Sequence, residues 1–140
     1  MALEELDGLL AQNRIAVATT YRKDGRPQQS LVTVGRFDGG LAFSTTEGRA
    51  KFGNLARDPR FALLLARPDW RGYAVLDGDA EVRSAANTPA DRLRDDLRAV
   101  YRAAAGKEHP DWDEYDRVMR EEQRVVVLLR PGRLFTRNLP

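Results

Sequence analysis

The sequence predicts a mainly β protein with short helices (α+β), built as one six-stranded antiparallel barrel over residues 1–140. Two observations predict it. The chain has 140 residues, enough for one domain and too few for two ordinary ones. Six strand-like segments follow one another with tight turns and short helices between them, apart from one longer helix inserted before the last strand.

The elements follow in order. The first dozen residues place Leu3, Leu6 and Leu10 on one helical side with acids on the other. Arg14 to Tyr21 then alternates, Ile15, Val17 and Thr19 against Ala16, Ala18 and Thr20, as a strand. Lys23-Asp24-Gly25-Arg26 is a hairpin turn, because Asp-Gly favours positive φ. Gln28 to Arg36 is the second strand, Phe37-Asp38-Gly39-Gly40 a second turn, and Leu41 to Thr45 the third strand. A short helix follows, with Thr46 as its expected N-cap and Glu47 in its first turn, ending before Asp58-Pro59. Arg60 to Ala66 is a buried strand, Pro68 to Gly72 a loop, and Tyr73 to Arg83 a strand bulged near Gly78. Thr88-Pro89 starts a longer helix, a capping hydroxyl before a proline whose missing N–H does no harm there. Leu93, Leu97, Val100, Tyr101 and Ala104 give it an apolar face, and Gly106 stops it. Asp111 to Glu122 is a second short helix, and Arg124 to Leu129 a strand that Arg133 to Arg137 extends past Pro131-Gly132.

Composition excludes several function classes. Hydrophobic residues are 42% and charged residues 31%, the balance of a soluble globular chain with one real core. There is no cysteine, so disulfides, thiolate metal sites and cysteine nucleophiles are out. One histidine leaves no multi-histidine metal cage or histidine relay, and no metal site is expected. A net charge of +2 is too small for a nucleic-acid module, although Arg124, Arg130, Arg133 and Arg137 form a local basic tail. The longest apolar run, Phe61 to Ala66, is far short of a membrane span. No charged-then-apolar leader opens the sequence, so a cytoplasmic location is expected.

Three stretches could carry chemistry. In Phe43 to Asn54 a strand runs into a helix start. Ser44, Thr45 and Thr46 stand at the junction, and Arg49, Ala50 and Lys51 follow. Phosphate needs several donors and positive charge converging on one spot, and a helix start supplies both. The same residues also suit a capped helix with two solvated cations. In the second stretch, Gln28 and Ser30 are two apart and share a strand face beside the Asp-Gly turn. They suit the edge of a heterocycle, or the polar outer face of a sheet. In the third, Trp70-Arg71-Gly72-Tyr73 offers aromatics to stack on a flat ring or to plug a barrel end. His109, between two helices, fits a surface or capping role, and the acids of Asp111 to Asp116 lack calcium-loop spacing. No Gly-x-Ser-x-Gly elbow, Gly-x-Gly-x-x-Gly or P-loop occurs.

Taken in order, several pieces resemble the FMN-binding split-barrel group, which is related to pyridoxamine 5′-phosphate oxidase. Within that group the chain is most similar to the actinobacterial F-420 (deazaflavin)-dependent reductases. The pieces are Asp24 to Gln28, Arg49-Ala50-Lys51 with Asn54-Leu55, Arg57 to Arg60, Tyr73-Ala74-Val75, Asp111 to Tyr115 and Arg124-Val125. They span about Ile15 to Phe135. The resemblance implies a split β-barrel homodimer with a cofactor in a groove at the subunit interface. It implies that Lys51 and Arg49, beside Ala50, hold the cofactor phosphate with Ser44, Thr45 and Thr46. Gln28, Ser30 and the backbone at Val32 would line the ring, Trp70 to Tyr73 would cover ring or tail, and Arg124 would contact the cofactor, from the second subunit or its own. Trp70-Arg71-Gly72-Tyr73 departs from the usual spacing in close relatives, and Thr45-Thr46-Glu47-Gly48 is also typical of FMN-using members.

The activity so implied is hydride transfer from reduced coenzyme F-420 (an 8-hydroxy-5-deazaflavin) to a small conjugated organic acceptor. The cofactor carries that chemistry, which agrees with a chain lacking an evident catalytic dyad; no catalytic residue is assigned. The alternatives are an FMN-dependent oxidase or reductase on the same fold, and a non-catalytic flavin or deazaflavin carrier.

Overall fold

The computed structural model of the chain describes residues 3–140. Met1 and Ala2, at the start of the expected first helix, lie outside the described residues. Leu3–Leu6 is a 3₁₀ turn that runs into helix α1 (Asp7–Gln12), and Leu3, Leu6, Leu9 and Leu10 bury against the barrel core.

Seven strands form one antiparallel sheet: β1 (Ile15–Tyr21), β2 (Pro27–Thr33), β3 (Gly35–Phe37), β4 (Gly40–Thr46), β5 (Arg60–Ala66), β6 (Tyr73–Arg83) and β7 (Arg124–Arg137). Their order is β2-β1-β5-β6-β7-β4-β3. The outermost strands, β2 and β3, are consecutive in the chain, so the sheet curls until its two ends are joined through Val34. The strand expected over Gln28–Arg36 is therefore divided at Val34. Its first part pairs with β1 and its last with β4. The Val34 N–H still donates to the Arg14 carbonyl at 2.8 Å. Six expected strands become seven, while the mainly β barrel class holds.

The turns follow from local chemistry. Gly25, at φ 83°, makes the β1–β2 hairpin, and the Asp24 carboxylate accepts from the Arg26 N–H at 3.0 Å. Asp38 and Gly39 both have positive φ (48° and 79°), the geometry a two-residue β3–β4 hairpin demands. Strands β6 and β7 slip register between Asp77 and Gly78, where Gly132 is the extra residue. β7 runs unbroken through Pro131-Gly132, as the sequence predicts.

Three helix starts differ from expectation. Helix α2 spans Ala50–Arg57 with Arg49 as N-cap and no side-chain cap. Thr46 is still held in the β4–β7 ladder opposite Arg124, and its carbonyl accepts from Arg49 N–H in a turn. Helix α3 spans Ala90–Ala105, so Pro89 is its N-cap, and the Thr88 hydroxyl donates to Asn87 instead. Helix α4 spans Trp112–Glu121, so Asp111, expected inside it, is its N-cap, the carboxylate accepting from Glu114 N–H at 3.2 Å.

Two apolar layers result. The barrel interior holds Ala16, Ala18, Phe43, Phe61, Leu63, Leu65, Leu76 and the inward residues of β7. Outside it, α3 and α4 pack Leu93, Leu97, Val100 and Tyr115 on Ala42, Val126 and Leu128. Gly35 permits that approach: a Cβ there would stand 2.5 Å from the Ala103 backbone. Arg83, 7% exposed, ties the layers together. Its guanidinium bonds Asp38 in the β3–β4 turn, Glu81 in β6 and Asp96 in α3.

Candidate functional site

The barrel is split where β2 and β4 part. The β3–β4 ladder ends at Gly35 opposite Ala42, and from there β2 leaves for β1 while β4 continues to Thr46 paired with β7. Continued register would set Thr33 opposite Ser44. Instead a cleft of about 590 Å³ opens, with Leu31, Val32 and Thr33 on one bank and Ser44 and Arg124 on the other. Val100, Tyr101, His109 and Tyr115 of the helical layer form its roof. That volume suits a drug-sized or smaller ligand.

Of the predicted residues, Val32, Ser44 and Arg124 line this cleft; Gln28 and Ser30 on β2 and the residues at the α2 start lie beyond its lining. Gln28, Ser30 and Val32 share one face of β2, each half-buried, with Gln29 and Leu31 on the other. Ser44 is the polar residue of the β4 bank. Its hydroxyl is buried and has no hydrogen-bond partner. A buried polar atom left unpaired is costly, and a ligand group in the cleft would satisfy it. Arg124, opposite Thr46 in the ladder, sends its guanidinium to the Ser44 carbonyl at 3.4 Å and to Glu122 at 2.9 Å. Thr45 is the exception on this strand. It shares the inward face with Leu41 and Phe43 and is buried there, so its side chain faces the barrel core.

At the end of the β4 bank the chain turns into α2. Arg49, Ala50 and Lys51 stand there, the first two exposed and Lys51 half-buried. Burial, then the neighbouring Arg49 charge, pulls the Lys51 ammonium below the usual lysine range. Among the described residues neither cation has a carboxylate within ion-pair distance, a property shared with exposed cations such as Arg22, Lys23 and Arg26 but not with Arg36, Arg60, Arg83, Arg98 and Arg117. Two adjacent, uncompensated cations at a strand-to-helix junction suit an anion such as phosphate.

Trp70 and Tyr73 are not brought to this end. They flank the β5–β6 hairpin, at the opposite end of β5 from α2. Trp70 is 79% exposed at φ 63°, and the Tyr73 ring meets Phe135 at 5.9 Å.

Sequence reasoning missed two features. The first is Asn54, buried on α2, which donates to Thr20 Oγ1 and Gln28 Oε1 at 3.0 Å each and accepts from Arg57. It orients Gln28 and pins α2 to β1 and β2; a lone Asn on the apolar side of a short helix is the signal. The second is the roof. Tyr101, His109, Trp112 and Tyr115 form a four-ring cluster with every pair of centroids 5.2–5.8 Å apart. His109 does act as a local cap, its Nδ1 accepting from Asp111 N–H at 3.0 Å. Burial raises the Tyr115 phenol to about 12, and its O–H donates to the Leu97 carbonyl at 2.9 Å.

Another surface bears on assembly. Leu31, Val17, Leu64, Val75 and Phe135 are register partners from β2 through β1, β5 and β6 to β7. They form one row on the outer sheet face. Leu31 is 72% exposed and Phe135 53%. The helices α3 and α4 pack elsewhere, on β3, β4 and β7. No helix among the described residues is long and apolar enough to cross a membrane.

Comparison with known proteins gives the following. The family model described as pyridoxamine 5′-phosphate oxidase matches residues 2–138. The fold is shared with a conserved hypothetical protein of Mycobacterium tuberculosis, at TM-score 0.76 and 23% identity over 97% of this chain and 84% of that one. It is shared with an F-420 reductase at TM-score 0.61 and 24% identity, over 91% and 93%. It is also shared with a pyridoxamine 5′-phosphate oxidase-related, FMN-binding protein of Nostoc punctiforme at TM-score 0.68 and 18% identity, over 97% and 86%.

Proposed function

This chain belongs to the pyridoxamine 5′-phosphate oxidase family, and we propose that it is a reductase using reduced coenzyme F-420 against a small conjugated acceptor. Residues 1–140 act as one domain, and two chains form the working homodimer.

The observation that carries this reading is the uncompensated pair Arg49 and Lys51 where β4 hands over to α2. They hold the anionic tail of the cofactor, with the Ser44 and Thr46 hydroxyls along the same bank. Gln28, oriented by Asn54, and Ser30 and Val32 border the ring. The orphaned Ser44 hydroxyl fits a polar ring or linker atom. The bound deazaflavin supplies the hydride, and the protein binds, orients and excludes water.

A second chain completes the groove. The exposed row from Leu31 to Phe135 is an apolar face of the kind that assembly covers. Trp70 and Tyr73, remote from the split of their own chain, are then the partner's contribution to the cofactor cover. Between F-420 and FMN, the ordered motifs from Asp24-Gly25-Arg26-Pro27-Gln28 to Arg124-Val125 favour F-420. FMN remains the second reading, because an FMN-binding relative shares the fold at higher TM-score than the F-420 reductase does.

Parallel fluorescence titrations of the purified protein with F-420 and FMN test this. Saturable F-420 binding, tighter than FMN and one per chain, is expected. FMN binding with none of F-420 reverses the cofactor, and binding of neither removes the reading.

A further inference from the structure

The cleft roof contains the chain's single histidine. Nδ1 of His109 accepts the Asp111 N–H at 3.0 Å. A neutral ring so held carries its hydrogen on Nε2. Among the described residues Nε2–H donates to no protein atom, while the ring lines the cleft beside Tyr101 and Tyr115. Three neighbouring rings fix its plane. It is a donor of set tautomer, partly exposed at the cleft, with no protein acceptor among the described residues.

The charges of the cleft define what it would hold. Its two carboxylates are already paired, Glu122 with Arg124 at 2.9 Å and Glu114 with Arg117. Unlike the Arg49–Lys51 corner, the roofed part of the cleft has no uncompensated charge for an ionic ligand. Aromatic walls and one oriented N–H donor suit a flat, neutral, conjugated ketone.

We propose that His109 is a catalytic residue that binds the acceptor's carbonyl oxygen through Nε2–H under the α3–α4 roof. This rests on the reductase reading. For an enone, a reduced deazaflavin held there would supply hydride, its own C–H bond breaking as a C–H bond forms at the enone β-carbon and the cofactor is oxidised by two electrons. The C=C pair shifts toward the carbonyl, and negative charge develops on its oxygen, where Nε2–H meets it. A solvent proton then closes the α-carbon. An oriented donor at a developing oxyanion contributes about 10²–10³-fold in kcat.

The test uses protein saturated with oxidised F-420 and 2-cyclohexen-1-one as probe, so no turnover occurs. A single histidine gives one set of imidazole NMR signals. We expect the Nε2 and ring-proton signals to move saturably with the enone. With reduced F-420, His109→Phe should lower enone reduction about a hundredfold at unchanged F-420 affinity, and His109→Gln, which restores an N–H donor, should recover part of it. If F-420 binds but the imidazole signals stay fixed at saturating enone, or His109→Phe turns over like wild type, this inference fails alone. If F-420 does not bind, the reductase reading falls and takes the inference with it.

Discussion

Leu31 on β2 and Phe135 on β7 stand on the same row of the outer sheet face, linked residue to residue through Val17, Leu64 and Val75. Four strand spacings separate them, about 19 Å. The outer face of the barrel wall is therefore apolar along this row, which a lone antiparallel sheet does not require. Leu31→Asp should leave the fold intact, since the side chain is 72% exposed. It should weaken the homodimer by more than about a hundredfold, because each chain then buries an unpaired carboxylate. Sedimentation velocity reads the outcome: wild type as dimer, variant as monomer at the same concentration. A wild-type monomer contradicts the two-chain groove.

Lys51→Ala should weaken F-420 binding about ten- to a hundredfold, the contribution of one charge-assisted hydrogen bond of about 1.5–3 kcal/mol. Its pH dependence has a definite sign. Burial and Arg49 lower the free ammonium's pKa, and a bound phosphate raises it again. Affinity is therefore full below the lowered value and lost as pH rises through it, earlier than an ordinary lysine would show. Titrations at increasing alkaline pH check this, and the phosphate-free deazaflavin riboside should show no such loss.

Arg83→Met should destabilise the chain by about 3 kcal/mol, the low end for breaking a buried ion pair, because Asp38 and Glu81 are half exposed. The hydrogen bond from Arg83 is the main cause that holds both carboxyls below their ordinary values. Their contribution is present above the ordinary carboxylate range and is lost as pH falls through the lowered values. Urea melts at neutral and acid pH should show the wild-type advantage shrinking in acid.

Gly35→Ala should cost about 1–3 kcal/mol by overpacking, since its Cβ would meet the Ala103 backbone at 2.5 Å. The shift would fall on α3, and with it on the cleft roof. Thermal melts and the aromatic NMR signals of Tyr101 and Tyr115 report the two effects separately.

Much of the barrel was legible because its cues are local. Asp-Gly at 24–25 and Asp-Gly at 38–39 wrote their own hairpins, and alternation over Ile15–Tyr21 set one inward face. The division at Val34 was not legible. No proline or turn pair interrupts Gln28 to Arg36, and only tertiary pairing sends its two ends to different neighbours. Thr46 looked like a cap because hydroxyls favour helix starts, yet the β7 ladder claims it first. Of the site, Arg49 and Lys51 were visible as cations after hydroxyls. Their lack of carboxylate partners was not, since pairing joins distant segments, as Arg83 with Asp38 shows. His109 was readable as a capping residue, but its place over the split depends on where α3 and α4 dock.

A crystal structure of the protein with F-420 decides whether an anionic cofactor tail docks where β4 passes into α2, in a cleft two chains complete. We expect the tail phosphate on Arg49 and Lys51, the ring between β2 and β4, and Trp70 or Tyr73 of a second chain over it. Density for the cofactor elsewhere, with that corner empty, would overturn this reading.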